Sequence, residues 1–239
     1  MKYLLKTFVI STLIALSVQT QAQVKFGVKA GLNLNNISQN FKESDWEFDT
    51  KMRLAYNIGA TVDFSLTDAM SLQSGLSLTS KGFNIDLNED SGEGESIEGY
   101  YNYILNYLEI PIHIAYKIND FQICVGPYLA FGIGGKNKWD YTFTYDGGSV
   151  SDKGEYKLKP IFGEVKEGDL GDDEDAYTAF DYGLGFGVGY QVGPVLVNTG
   201  YSLGLGNITP SYEGSDFDPK DFKMSNRVIT LSVSYFFGE

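Results

Sequence analysis

Cysteine is nearly absent: Cys124 is the single one in 239 residues. No internal disulfide can form, and a residue so far from the N-terminus is not the lipid-bearing first residue of a lipoprotein. Proline is scarce, at 6 residues. Basic residues are outnumbered, 18 Lys and Arg against 31 Asp and Glu, and they do not cluster as phosphate binding requires, so nucleic acid is excluded as a partner. Beyond residue 23 there is neither helical periodicity nor an apolar run of the ~20 residues that cross a bilayer as a helix. Two classes survive, an exported soluble protein and a membrane β-barrel. What is abundant points to sheet, since 28 Gly, 17 Tyr and 16 Phe suit many strands and tight turns.

The first 22 residues read as a separate object. Lys2 and Lys6 precede an apolar stretch from Leu4 to Val18, and Gln19-Thr20-Gln21-Ala22 supplies a polar segment with small residues before a cut, the pattern of an export signal. Residues 1–22 are therefore expected to leave and residues 23–239 to form one domain. Losing two lysines takes the net charge from −13 to −15.

From Val24 onward the chain alternates with period two. Phe26, Val28, Ala30, Leu32 and Leu34 oppose Lys25, Gly27, Lys29, Gly31, Asn33 and Asn35. The pattern recurs around residues 55–66, 71–79, 107–118, 121–131, 182–190, 195–205 and 229–237, giving eight strands. Short turns stand at Thr67-Asp68-Ala69, Asn119-Asp120 and Gly193-Pro194. Longer segments, read as loops, occupy about 38–50, 84–100, 134–177 and 207–225. Short and long connections alternate, as in an eight-stranded antiparallel up-and-down transmembrane β-barrel with periplasmic termini and turns. The four long segments hold 25 of the 31 acidic residues, so the charge collects at one end.

A soluble eight-stranded barrel also alternates, but its outer face meets water and needs long polar side chains. Here the face opposite the apolar one is mostly small: Gly183, Gly185, Gly187 and Gly189, then Thr230, Ser232 and Ser234. Small residues fit a narrow lumen, so the apolar face is expected to meet outer-membrane lipid. Phe26, Phe64, Tyr116, Phe121, Tyr190, Tyr235 and Phe237 form one aromatic girdle near the short turns. Tyr56, Phe131 and Tyr182 contribute to the other.

Few residues suggest chemistry. The period-two glycines 183 to 189 lack the G-x-G-x-x-G spacing and the strand-to-helix turn of a nucleotide loop. His113, the sole histidine, sits mid-strand with no legible nucleophile partner, so a buried, hydrogen-bonded role is expected rather than catalysis. Lumen parity collects Lys25, Lys29, Arg53, Lys81 and Lys117 with Asp63, Glu109 and Asp181. In so narrow a barrel these read as paired charges that plug the interior, with Lys29, Arg53, Asp63, Glu109, His113 and Asp181 as the network. The acidic run holding Asp169, Asp172, Asp173 and Asp175 offers hard oxygens for calcium without EF-hand spacing; a solvated loop is the plainer reading. No catalytic set and no cofactor fingerprint is legible. Pro111 and Pro127 lie inside strands, where a missing N–H predicts a bulge or ladder break.

Four segments resemble the PorT-like outer-membrane β-barrel family of Bacteroidota: VKFGVKAGLNLNNI after a signal ending in QAQ, YLEIPIHIAYKI, GPYLAFGIGG and the closing VSYFF. The resemblance implies the eight-stranded fold and outer-membrane insertion. The family's name-giving member assists protein secretion by the type IX system, while many relatives have no assigned role. The expected function is thus non-enzymatic: external acidic loops for binding, or support of an envelope or secretion assembly. A narrow small-solute porin is the alternative.

Overall fold

A computed structural model describes residues 24–42, 48–92, 94–215 and 218–237; the expected export signal lies outside them. In chain order the strands are β1 (Val24–Phe41), β2 (Thr50–Lys51), β3 (Arg53–Ser65), β4 (Met70–Asp90), β5 (Ser96–Ile118), β6 (Phe121–Tyr145) and β7 (Gly148–Ile161). They continue with β8 (Glu164–Val165), β9 (Glu174–Thr178), β10 (Phe180–Val192), β11 (Val195–Gly204), β12 (Ser211–Tyr212) and β13 (Phe222–Phe237). Eight of them close a ring in the order β1-β3-β4-β5-β6-β10-β11-β13, and β13 returns to β1 with Phe26 opposite Phe237. All eight pairings are antiparallel. The architecture is the eight-stranded antiparallel barrel that the alternation implies.

Parity decides which side chains face out. Phe26 is 63 % exposed, Leu32 54 % and Ile58 53 %, whereas Asn33, Asn57 and Asp63 on the opposite parity are buried. The barrel is apolar outside and polar inside. The aromatic girdle closes at the short-turn end, where Phe121 meets Tyr190 at 4.7 Å and Tyr235 meets Phe237 at 5.4 Å. At the opposite end Phe131 and Phe180 meet at a tilt, with centroids 5.4 Å apart. The two-residue turns are as expected, with Asn119 at φ 55°, a left-handed conformation that Asn tolerates.

Glycine on β10 is a packing requirement. A Cβ on Gly185 would stand 2.5 Å from His113 Nε2, and one on Gly187 would stand 2.8 Å from Cys124 Sγ. The run makes room for inward side chains of β5 and β6. The ladder also breaks at the two prolines. Pro111 pairs with Tyr128, but the next pair on β5 and β6 is Ile114 with Val125. Between β4 and β5 pairing skips from Ser74–Ile112 to Ser77–Glu109, and Ser74 Oγ donates to the Pro111 carbonyl at 2.8 Å.

Two segments read as loops are not loops. β4 and β5 continue as a hairpin out to Asp90 and Ser96, and β6 and β7 as another out to Tyr145 and Gly148. β6 is 25 residues long, more than twice the ~9–11 that a tilted barrel strand needs to cross a membrane. Alternation hid them, because a strand with water on both faces has no reason to keep one face apolar.

Candidate functional site

The lumen is divided by one ion cluster. Lys81 of β4 reaches across the barrel, with Nζ 2.8 Å from Glu109 Oε2 and 2.9 Å from Asp181 Oδ2. Asn226 Nδ2 donates to Asp181 Oδ2 at 3.0 Å, and the Tyr128 hydroxyl donates to it at 3.3 Å. The ammonium also stands 4.2 Å from the Tyr128 ring centroid and 5.2 Å from that of Tyr107. Lys81, Asp181, Tyr107 and Tyr128 are completely buried or nearly so. Removing such charges from water costs several kcal/mol per ion, offset only where the geometry and hydrogen bonding are complete. Here a single ammonium holds two carboxylates and two ring faces.

A second cluster lies toward the short-turn end. Lys117 Nζ is 3.1 Å from Asp63 Oδ1, while Asp63 Oδ2 accepts from Ser71 Oγ at 3.0 Å and Gln73 Nε2 at 2.7 Å. The remaining candidates fall elsewhere. Lys29 makes no direct ion pair among the described residues and faces Glu109 and His113 across a small cavity of about 60 Å³. Among the described residues Arg53 joins no carboxylate: it donates to Asn102 Oδ1, Ser80 Oγ and the Lys81 carbonyl at 3.1 to 3.3 Å, because those acceptors surround the first residue of β3. His113 is not hydrogen-bonded as expected. Its Nε2 is buried without a partner, since the glycines of β10 in front of it carry no side chain.

Among the described residues no three His, Cys, Asp or Glu side chains converge as a metal site would need. Asp169 Oδ2 accepts from the Lys166 amide at 2.8 Å and Asp175 Oδ1 from the Ala176 amide at 2.7 Å. Asp169 thus caps the Lys166–Asp169 turn, and Asp175 lies on β9, apart from it.

Above the ion cluster the interior becomes apolar. Phe83, Leu105, Tyr107, Leu158, Tyr177 and Ile208 form one buried core, closed over by β9, which returns from the third long segment and pairs parallel with β7. Tyr177 docks edge-on to Tyr107 at 5.7 Å. Its hydroxyl lies 3.1 Å from the Gly134 carbonyl, at a bulge where Gly134 takes φ 134°. A cavity of about 220 Å³ remains inside this core. Sequence reading missed these residues because 83–105 straddles a supposed loop; the inward parity of Lys81, continued through Phe83 and Ile85, was the available signal.

Beyond the membrane, β4, β5, β6 and β7 form a projecting sheet. Lys136 and Lys138 reach Glu155 at 2.6 and 3.2 Å, and Lys153 reaches Asp140 at 2.7 Å. The hydrogen bond from Lys136 holds the Glu155 carboxyl below its ordinary range. Trp139 packs at a tilt on Tyr156 at 4.7 Å and donates to Asp152 Oδ2 at 2.9 Å, while Tyr145 and Val150 stand exposed at the tip.

An antiparallel ring with an apolar outer band between aromatic girdles and a polar, filled interior defines an integral outer-membrane β-barrel protein. The chain belongs to the outer membrane protein beta-barrel domain family, whose model matches residues 19–210. Among solved structures it is similar to Ail of Yersinia pestis, with 15 % identity, 90 % of this chain and 99 % of that chain covered, and a TM-score of 0.39. It is similar to Neisserial surface protein A at 11 % identity, 89 % and 98 % coverage and a TM-score of 0.39. The outer membrane protease OmpT of Escherichia coli is similar at 11 % identity, 92 % and 100 % coverage and a TM-score of 0.34. No curated protein matches the chain.

Proposed function

We propose that the barrel is a sealed, non-enzymatic anchor whose projecting β4–β7 sheet binds a macromolecular partner at the cell surface. A supporting role in an envelope assembly, protein secretion included, is one form of that function. The observation that carries the reading is the bridge of Lys81 to both Glu109 and Asp181 across the lumen. The cavity above the bridge and the one at the short-turn end, about 220 and 170 Å³, share no lining residue. A conduit would need water continuity through this level, and the ion cluster occupies it. What rises outside carries Trp139, Tyr145 and Tyr156, aromatic residues of the kind enriched at protein contacts. Planar-bilayer recording of the refolded protein is expected to give no unitary conductance. Reproducible open-channel steps from the wild-type protein would make it a narrow porin instead.

A further inference from the structure

The core above the ion cluster carries a ligand site. Its cavity holds about 220 Å³, where a 150 Å³ apolar cavity accepts benzene, so it has room for roughly nine to twelve non-hydrogen atoms. The walls are Phe83, Ile85, Leu105, Leu158 and Ile208, all buried. Phe83 and Tyr103 stack nearly parallel, with centroids at 4.7 Å and planes 12° apart, and this pair presents an aromatic wall to the space.

The polar groups on the lining are unequal. The Tyr177 hydroxyl is held by the Asn106 and Gly134 carbonyls, and the Tyr212 hydroxyl donates to Asp175 Oδ1 at 3.3 Å. Asp175 Oδ1 also takes the Ala176 amide, whereas no described residue donates to Asp175 Oδ2. The cavity therefore offers an occupant the Asp175 carboxylate as an acceptor, together with ring faces. An apolar body with a positively charged donor matches this set, through an ion pair and cation–π contact. An anionic molecule of the same shape meets repulsion from Asp175 and the cost of its own desolvation. Below, Tyr107 and the Lys81 bridge close the floor, so an occupant is held rather than passed on.

We infer that the outer half of the barrel binds a small aromatic monoamine, with its ring among Phe83, Tyr103 and Leu105 and its ammonium on Asp175. The site is independent of any partner on the projecting sheet.

The test uses the full barrel in lipid nanodiscs, with 2-phenylethylamine and phenylacetate as probes and empty nanodiscs subtracted. Calorimetry is expected to show saturable one-to-one binding of the amine at sub-millimolar concentration and at least tenfold weaker binding of the acid. Asp175→Asn should weaken the amine about fivefold or more and narrow the gap between the probes. Leu105→Trp should fill the cavity and abolish binding; Met224→Trp, from another wall, serves the same purpose if the first variant does not fold. Folding of each is read from β-sheet circular dichroism. No saturable amine binding to the wild type, equal binding of the acid, or undiminished binding in a folded cavity-filled variant would overturn the assignment.

Discussion

Lys81 is the residue on which the interior depends. One buried ammonium neutralises Glu109 and Asp181, so Lys81→Met leaves two carboxylates facing each other in a low-dielectric space. The loss is expected to be about 3–5 kcal/mol, the range for removing one partner of a buried ion pair, measured by urea unfolding in detergent. Adding Glu109→Gln and Asp181→Asn should recover much of it, because the uncompensated charges go with the lysine. An unchanged midpoint in the single variant would show that the carboxylates are already solvated or neutral. Parity in the sequence placed Lys81, Glu109 and Asp181 inside the barrel. It did not pair them, since their residue numbers are far apart and only closure of the ring brings β4, β5 and β10 to one level. Arg53 and His113 show the same limit: both point inward, and local neighbours decide what they meet.

At the scale of elements, the membrane-crossing parts of all eight strands were legible because one face meets lipid and the other does not. The projecting tips of β4 to β7 were not, because water on both sides erases the alternation, while nearer the barrel Phe83, Ile85, Leu105 and Leu158 still turn inward. The ladder break at Pro111 and Pro127 was legible, since a missing N–H acts locally. The β6–β7 hairpin is stabilised by its own cross-strand pairs, Lys136 with Glu155 and Lys153 with Asp140, and the barrel below does not rest on its tip. Replacing residues 139–154 by Asn-Gly, a two-residue turn that matches strand twist, should leave the sheet circular dichroism and thermal transition of the barrel unchanged. The same variant is expected to lose partners that the intact protein retains on affinity purification from native outer membrane. Retention of every partner would move binding away from this hairpin.

For the whole molecule, short turns and both described ends lie at one rim, and the projecting sheet at the other. Insertion with the short turns in the periplasm is the orientation proposed here. An epitope placed at Gly147 should then be labelled by antibody on intact cells, and one following Phe237 only after permeabilisation; the reverse pattern would invert the protein in the membrane. The outer rim is also where acidity concentrates, so cationic molecules are drawn to the side on which the Asp175 cavity lies.

The seam between β1 and β13 has a consequence of its own. It is the longest of the pairings that β1 makes, running from Phe26–Phe237 to Phe41–Phe222, and it joins the two most distant parts of the described chain. Closure entropy rises with the length of chain to be looped, so this ladder is the costliest to form and the last that a growing chain can complete. Because the start of β1 already pairs with the end of β13, a short peptide link between them would close the described barrel into a covalent ring. In a linked version, the position of the break would be a free choice among its turns, and the order in which the strands close would change with it.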